Sequence, residues 1–380
     1  MKNLYTIPTD EQNKLLQTLE NRSDVEALRI KHYLSMPDLS RTEGSPIAEI
    51  VSRVTESPDF KDFDVIQTPE IVPADVSFDL FDFPANHPAR SKSDTYYVDD
   101  KNILRTHTTV MWYYYLREPD VVRRMAASES VGAFSFGKVY RKDEIDRNHM
   151  NVFHQIDGWF LTPKDKKIIG VKDLQNALLN IAKAVFGAEV KYRFNPDTFP
   201  YTDPSLEMEI DKDGKWLEVL GSGVVKGSVL EKFGVDSSKW NGWAFGQGIE
   251  RLAMISMELP DIRLLWSEDS RVRKQLKLGS KFSEVSKYPP IVRDISFVVK
   301  SDFIPNNYFD LVRETAGDLV EQVELIDKYE NAEKFGKGNV SYAYRITYRS
   351  LDRTLTSEEI DRLHKKLETV TINNYNAQVR

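Results

Sequence analysis

Apolar residues recur along the chain with two periods, and the switches between them divide it into elements. Glu11–Leu19 and Val25–Leu34 read as short helices of a packed arm over residues 1–44. Ser45-Pro46 then opens a helix, with Ser at the cap, Pro in the first turn, and Ile47, Ile50, Val51 and Val54 on one face. Phe60–Pro69 leads out as a strand, and Tyr96–Val98 and Leu104–Thr109 read as further short strands. Gly137–Tyr140 and Val152–Leu161 are apolar runs joined by a charged loop, a β-hairpin with a long connection. Asp173–Phe186 is an amphipathic helix, capped by Asp173 and ended by Gly187, with Leu174, Ala177, Leu178, Ile181, Ala182 and Val185 inward. Val190–Asn195, Leu206–Ile210 and Lys215–Leu220 read as strands, the last two joined at the turn pair Asp213-Gly214. The apolar run beginning at Trp243 turns helical after Gly248 and continues through Met257.

The pattern changes again after a basic linker over residues 271–286. From 287 to 380 it predicts strand Asp294–Val299, helix Tyr308–Val320, strands Val323–Tyr329 and Val340–Arg349, a helix from the capping box Thr356-Ser357-Glu358-Glu359 to Val370, and strand Tyr375–Val379. That order, βαββαβ, is the ferredoxin-like one. Val340, Tyr342, Tyr344, Ile346 and Tyr348 alternate as its inward face. The chain is therefore α+β, with a larger region over 45–270 ahead of a ferredoxin-like domain.

Composition narrows the chemistry. The 380 residues are 41% hydrophobic and 29% charged, an ordinary globular balance. No apolar run approaches the roughly 20 residues of a membrane span. The absence of cysteine excludes disulfides, thiolate metal sites and a catalytic thiol. A net charge of −7 argues against indiscriminate nucleic-acid binding but not against a shape-read RNA met by local basic patches. The first twenty residues, acidic and without Arg, read as neither signal nor transit peptide.

The inner ends of the long hairpin concentrate function-bearing side chains: Arg141, His149, Phe153, His154 and Gln155. A guanidinium forks over phosphate or carboxylate oxygens, an aromatic face stacks a base, and an amide reads a polar head group. A polar surface hairpin with one core Phe accommodates the same residues. Arg251 falls in the first turn of the helix after Gly246 and Gly248, where glycine admits close approach and the helix terminus favours an anion. Two distant arginines on strand–turn elements point to a clamp on one polyphosphate. Glu209 lies opposite Glu218 if Asp213-Gly214 alone form the loop, and Glu207 does so if the loop is longer by two. Like charges opposed across strands call for something positive between them, and a hard divalent cation such as Mg2+ fits; a solvated acidic face is the alternative. Phe199 and Tyr201 flank the rigid Pro200, as pocket walls or as plain core.

Two of these stretches, Arg141 through His149 to Phe153-His154-Gln155 and Phe245-Gly246-Gln247-Gly248-Ile249-Glu250-Arg251, resemble the second and third signature motifs of class II aminoacyl-tRNA synthetases. The wording resembles the phenylalanyl-tRNA synthetase family in particular, as do His87-Pro88-Ala89-Arg90 and Arg105-Thr106-His107-Thr108. The resemblance runs from about Ser45 to the C-terminus. It implies an antiparallel-sheet catalytic domain, followed by a ferredoxin-fold anticodon-binding domain.

The resemblance also implies roles. Arg141 would hold the ATP α-phosphate, and Arg251 with His149 the γ-phosphate, with Asp143 in the same ATP-binding loop and Phe153 stacked on adenine. His107, Thr109, Gln155 and Asp157 would take the polar end of L-phenylalanine, where the family has Glu in place of Asp157. Phe199 and Tyr201 would wall the benzyl ring and Ala244 would floor its pocket. Glu207, Glu209 and Glu218 would hold Mg2+, and Ser222 stands where the family has Cys. Arg345, Arg349 and Arg353 form the basic cluster for tRNA-Phe. The compact single-chain form of the family, a monomer without hydrolytic proofreading, is the one implied. Two other readings stay open: a paralogue that binds RNA or amino acid without ligating them, and an amide-forming ligase that uses no tRNA. The start of the chain points to a bacterial cytoplasmic enzyme, with a mitochondrial matrix enzyme lacking its presequence as the alternative.

Overall fold

The computed structural model describes residues 3–8, 10–144, 146–284 and 288–380. Its contacts divide the chain into two compact units. One comprises Met1–Arg141, Val152–Glu258 and Leu276–Lys281; the other comprises Lys142–Asn151, Leu259–Gln275 and Phe282–Arg380. The expected end of the linker at 286–287 lies outside the described residues.

The first unit is built on an eight-stranded sheet. Its central order is Val131–Tyr140, Val152–Pro163, Trp240–Gly248, Lys215–Val225, Thr202–Lys212 and Tyr192–Asp197, all antiparallel neighbours. The other edge is completed by Asp64–Gln67 and by Leu4–Thr6, both in parallel pairing. The last strand has no periodic signal in the sequence. It is fastened by a buried polar knot. Asp64, 1% exposed, accepts from the Tyr115 hydroxyl at 2.5 Å, the Arg124 guanidinium at 2.6 Å and the Asn3 amide at 3.0 Å.

Helices Pro46–Thr55, Val171–Phe186 and Ile249–Met257 pack together and against the sheet. Val171–Phe186 buries the six residues its period predicts. Its cap differs from the expected one: Gly170 is the N-cap, and Asp173, at the third helical position, reaches back to the Gly170 amide at 3.0 Å. A carboxylate one turn inside still meets the positive end of the helix. Leu104–Thr109 is also not a strand throughout. Extended pairing stops at Leu104, and Thr108–Val110 is a 3-10 turn entering helix Met111–Tyr115. The turn aims both threonine hydroxyls at one carboxylate, described below.

Asp213 and Gly214 both have positive φ, 53° and 81°, so these two residues alone make the loop. Lys212 pairs with Lys215 and Glu209 with Glu218, while Glu207 falls opposite Gly221. The longer-loop register is thereby excluded.

In the second unit the strand order is Val320–Glu330, Asn339–Tyr348, Ile291–Lys300 and Gln378–Val379. Helices Pro305–Ala316 and Ser357–Tyr375 complete the βαββαβ order, and Thr356 caps the second through the Glu359 amide. Val340, Tyr342, Tyr344, Ile346 and Tyr348 are all buried in its core. The α+β organisation read from the pattern is the one observed.

Candidate functional site

Directly paired residues of an antiparallel sheet share a face, and alternate residues along each strand share it too. Gln155 pairs with both Gly137 and Gly248, and Asp157 with both Ser135 and Gly246. Trp159 pairs with Ala133 and Ala244, while Gly246 continues to Gly221 and Ala244 to Gly223. One face of the central sheet is thus lined by Gly, Ala and Ser around Gln155 and Asp157. Residues of the other parity, among them His154, Ile156, Phe245 and Gln247, are buried on the opposite face.

The missing side chains make room. A Cβ on Gly246 would stand 2.5 Å from Asp157 Oδ1, and one on Gly221 would stand 2.8 Å from the Phe199 ring. Phe199 therefore lies over the glycine floor. Tyr201 stacks beside it, with centroids 6.2 Å apart and planes at 23°. At one end the floor is closed by a cluster of Trp112, Trp159 and Ala244, with the two indoles stacked at 4.8 Å and Tyr201 packed against them. Aromatic walls, a small-residue floor and a closed apolar end are the lining that a slot for a flat apolar group needs.

Asp157 is the charged group of this slot. It is 4% exposed; Thr109 donates to Oδ1 at 2.8 Å, and Thr108 donates to Oδ2. Burial raises its pKa to about 6, against the lowering effect of those two hydroxyls and of Arg141 and Arg105. His107 donates through Nε2–H to the Ser77 carbonyl at 3.0 Å and lies parallel to Phe83, which in turn stacks with Tyr201. Burial lowers its pKa to about 4, so it is a neutral imidazole at physiological pH. Gln155 Oε1, Ser135 Oγ and His107 Nδ1 are buried and have no hydrogen-bond partner among the described residues. Such atoms are what an incoming polar ligand satisfies.

The two arginines leave the sheet at the same end. Strands Val131–Tyr140 and Trp240–Gly248 both run antiparallel to the strand between them, so they run parallel to each other. Arg141 follows the first by one residue, and Arg251 follows the second by three. Between them the middle strand begins with Val152 and Phe153. The Arg141 guanidinium lies 5.2 Å from the Phe153 ring and donates through Nε to the Thr106 carbonyl at 3.1 Å. Arg251, exposed, donates through Nε to the Glu218 carbonyl at 2.6 Å. In each case the contact shown uses Nε rather than the forked terminal nitrogens.

Glu207 and Glu209 share the Asn195 amide, at 2.8 and 2.7 Å, and Arg193 also donates to Glu209. Arg193 meets Glu209 from the edge strand, on the side away from Glu218, and with Asn195 holds the Glu209 pKa down. Among the described residues no group of three or more His, Cys, Asp or Glu is arranged to hold a metal. The donors present are all oxygens, which suits a hard cation. Ser222 donates to the Leu206 carbonyl at 3.0 Å on the face away from the slot.

Asp143 and His149 belong to the second compact unit. His149 is exposed and its Nδ1 stands 2.8 Å from Asp146, which raises the imidazole pKa. Arg345, Arg349 and Arg353 each hold a carboxylate, of Asp294, Glu321 and Glu359 respectively. Several residues of the site went unassigned in the sequence, among them Ser135 and Thr108, the latter hidden because a strand reading turns it away from Thr109; more was legible in Gly246 than the close approach read from it. Gly246 carried a signal in the alternation Gly246, Gly248 and Gly221, Gly223, which places four glycines on one face of paired strands.

Residues 30–276 match the model of the class II tRNA synthetase core domain (F), and residues 286–380 match that of the ferredoxin-fold anticodon-binding domain. The chain is 40% identical over 321 residues to the chloroplastic/mitochondrial phenylalanine–tRNA ligase of Arabidopsis thaliana, covering 82% of this chain and 71% of that one. To the mitochondrial phenylalanine–tRNA ligase of Mus musculus it is 37% identical over 344 residues, 80% of this chain and 73% of that one. To the mitochondrial enzyme of Saccharomyces cerevisiae it is 31% identical over 382 aligned positions, 80% of each chain.

Proposed function

The chain belongs to the class II phenylalanine–tRNA ligase family, and from that premise we propose that it activates L-phenylalanine with ATP and transfers it to the terminal adenosine of tRNA-Phe. The observation that carries this reading is the arrangement of Arg141 and Arg251 at one end of the sheet, on either side of the strand that begins at Phe153 and continues to the Asp157 slot. The benzyl ring enters between Phe199, Tyr201 and Ala244. Its ammonium meets Asp157 and Gln155, and its carboxylate is left facing the arginine end. A carboxylate oxygen attacks the α-phosphorus of ATP; the bond to the bridging oxygen breaks, and pyrophosphate leaves with the electron pair. A ribose hydroxyl of tRNA then attacks the carbonyl carbon and AMP departs.

No protein nucleophile takes part. This chain's residues position the reactants and offset charge: Arg141 at the α-phosphate, Arg251 at the γ-phosphate, and Phe153 under the adenine. Glu207, Glu209 and Glu218 are the carboxylates that would hold Mg2+, which when bound neutralises triphosphate charge. His107 stays neutral and Thr109, with Thr108, orients Asp157. The basic cluster Arg345, Arg349 and Arg353 is the part of the second unit assigned to tRNA. Among the described residues no helix is long and apolar enough to cross a membrane. The relatives' organellar names favour the mitochondrial alternative over the bacterial cytoplasm.

ATP–pyrophosphate exchange across all twenty amino acids tests the reading. Exchange with phenylalanine, followed by charging of tRNA-Phe, is expected. Exchange with another amino acid, or none, overturns it, and exchange without charging favours the amide-forming ligase.

A further inference from the structure

The strand Val152–Pro163 loses one neighbour early. Its ladder with Trp240–Gly248 ends at the pair Gln155–Gly248, and the chain after Gly248 turns into a helix. One residue further along, the His154 amide is satisfied by that helix instead. Glu250, 2% exposed, receives the His154 N–H with both carboxylate oxygens, at 2.9 and 2.8 Å. The same carboxylate receives the imidazole Nδ1–H at 2.6 Å. A third segment closes the arrangement from the N-terminal side: the Leu39 amide donates to His154 Nε2 at 2.9 Å, with Asp38 Oδ1 3.4 Å from the same nitrogen. Burial opposes a charge on the ring; the two carboxylates outweigh it and push the ring pKa up to about 9, but the contact at Nε2, where a lone pair is needed, argues against a charge. The Leu39 N–H aimed at Nε2 selects the neutral tautomer with its proton on Nδ1.

The N-terminal segment is itself tied to the neighbouring strand. Lys138 Nζ donates to the Leu34 and Met36 carbonyls at 2.8 Å each, and Arg41 donates to the Phe136 carbonyl at 3.1 Å. Three pieces of chain far apart in sequence thus meet at one imidazole that is 0% exposed and points away from the slot. Burying these polar groups is costly unless every partner is present. His154 directly follows Phe153, and Glu250 directly precedes Arg251.

We infer that His154 and Glu250, braced by the Asp38–Leu39 segment, are positioning residues that hold the adenine-stacking Phe153 and the phosphate-binding Arg251 in mutual register. The inference rests on the nucleotide roles proposed above. Neither side chain touches substrate; each acts through its neighbour. ATP binding is therefore the property they chiefly control, while the part of the phenylalanine slot built from Asp157, Phe199 and Tyr201 does not depend on them and only Gln155, next to His154, is shared.

The test is ATP–pyrophosphate exchange on the full chain, with separate KM values for ATP and phenylalanine. Glu250→Gln, which replaces one accepting oxygen by a donor, is expected to raise the ATP KM about tenfold, the scale at which supporting hydrogen bonds act on a bound ligand. The phenylalanine KM should stay within about twofold. His154→Asn keeps a donor near Nδ1 but loses the Leu39 contact, and should fall between wild type and His154→Ala. Melting temperature is followed in parallel. If both KM values are unchanged, or both rise together with a drop in melting temperature, the residues are structural and the inference is wrong. If the wild-type chain gives no phenylalanine-dependent exchange, the functional reading fails first, and the two failures are distinguished.

Discussion

Asp157 shows how a single burial sets opposing demands on one residue. Its pKa is raised to about 6 by desolvation, so it is charged at pH 7 but loses that charge just below. An ammonium partner needs the carboxylate. The value of kcat/KM for phenylalanine in pyrophosphate exchange is therefore expected to fall about tenfold per pH unit below about pH 6, since this ratio reports the free enzyme. For folding the sign is reversed. A carboxyl whose pKa is higher in the folded chain than in the unfolded one stabilises the fold most at low pH, and that contribution is lost as pH rises through about 6. Asp157→Asn should then raise stability at pH 7 by about 1–3 kcal/mol while abolishing activation, with urea unfolding and exchange assays reading the two effects. Gly246 is constrained from the other side. The Cβ of Gly246→Ala would press on Asp157 Oδ1 at 2.5 Å, and a shift of that carboxylate should cost about 100-fold in kcat/KM for phenylalanine. Ala244, 4% exposed in the aromatic cluster, is different: Ala244→Gly opens space without moving a polar group. It is expected to admit para-substituted phenylalanines in the same assay, and unchanged preference would remove Ala244 from the pocket.

At the scale of elements, the edge of the large sheet depends on one buried acid. Leu4–Thr6 has too few residues to carry a hydrophobic pattern, and its place is held by Asp64 between Tyr115, Arg124 and the Asn3 amide. Arg124→Ala leaves that carboxylate buried with only neutral donors. A loss of about 2–3 kcal/mol in urea unfolding is expected, toward the low end for a broken buried pair because two donors remain. The elements with strong periods were legible in sequence: Val171–Phe186 buries the residues predicted, and Asn339–Tyr348 turns the alternating set inward. What was not legible were the joints. The turn at Thr108–Val110 is set by where a neighbouring strand places a carboxylate, which local pattern does not encode, whereas the Gly170 cap is a local contact with Asp173 that shifts the helix start by only a few residues.

On the scale of the whole molecule, Arg345, Arg349 and Arg353 of the second unit are each already paired with a carboxylate. An RNA phosphate or base must compete for them. Reversing Arg345 and Arg353 to Glu should raise the KM for tRNA-Phe roughly tenfold and leave pyrophosphate exchange unaltered, because neither lies in the sheet that holds the slot. Equal losses in both assays would take tRNA contact away from these residues. The sequence by itself determined much of the inventory: the strongly periodic helices and strands, a turn at Asp213-Gly214 that left Glu209 or Glu207 to face Glu218, and the residue types a nucleotide and an aromatic amino acid need. Those follow from periodicity, turn chemistry and side-chain chemistry, all of which are local. Only the tertiary structure decided that Thr108 joins Thr109 on Asp157, that four glycines share one face, and that His154 meets Glu250 and Leu39. Each of these brings together segments well separated in sequence, the most distant pair, Leu39 and His154, being 115 residues apart, and is selected by strand order and register, so that no short window of the sequence contains both partners.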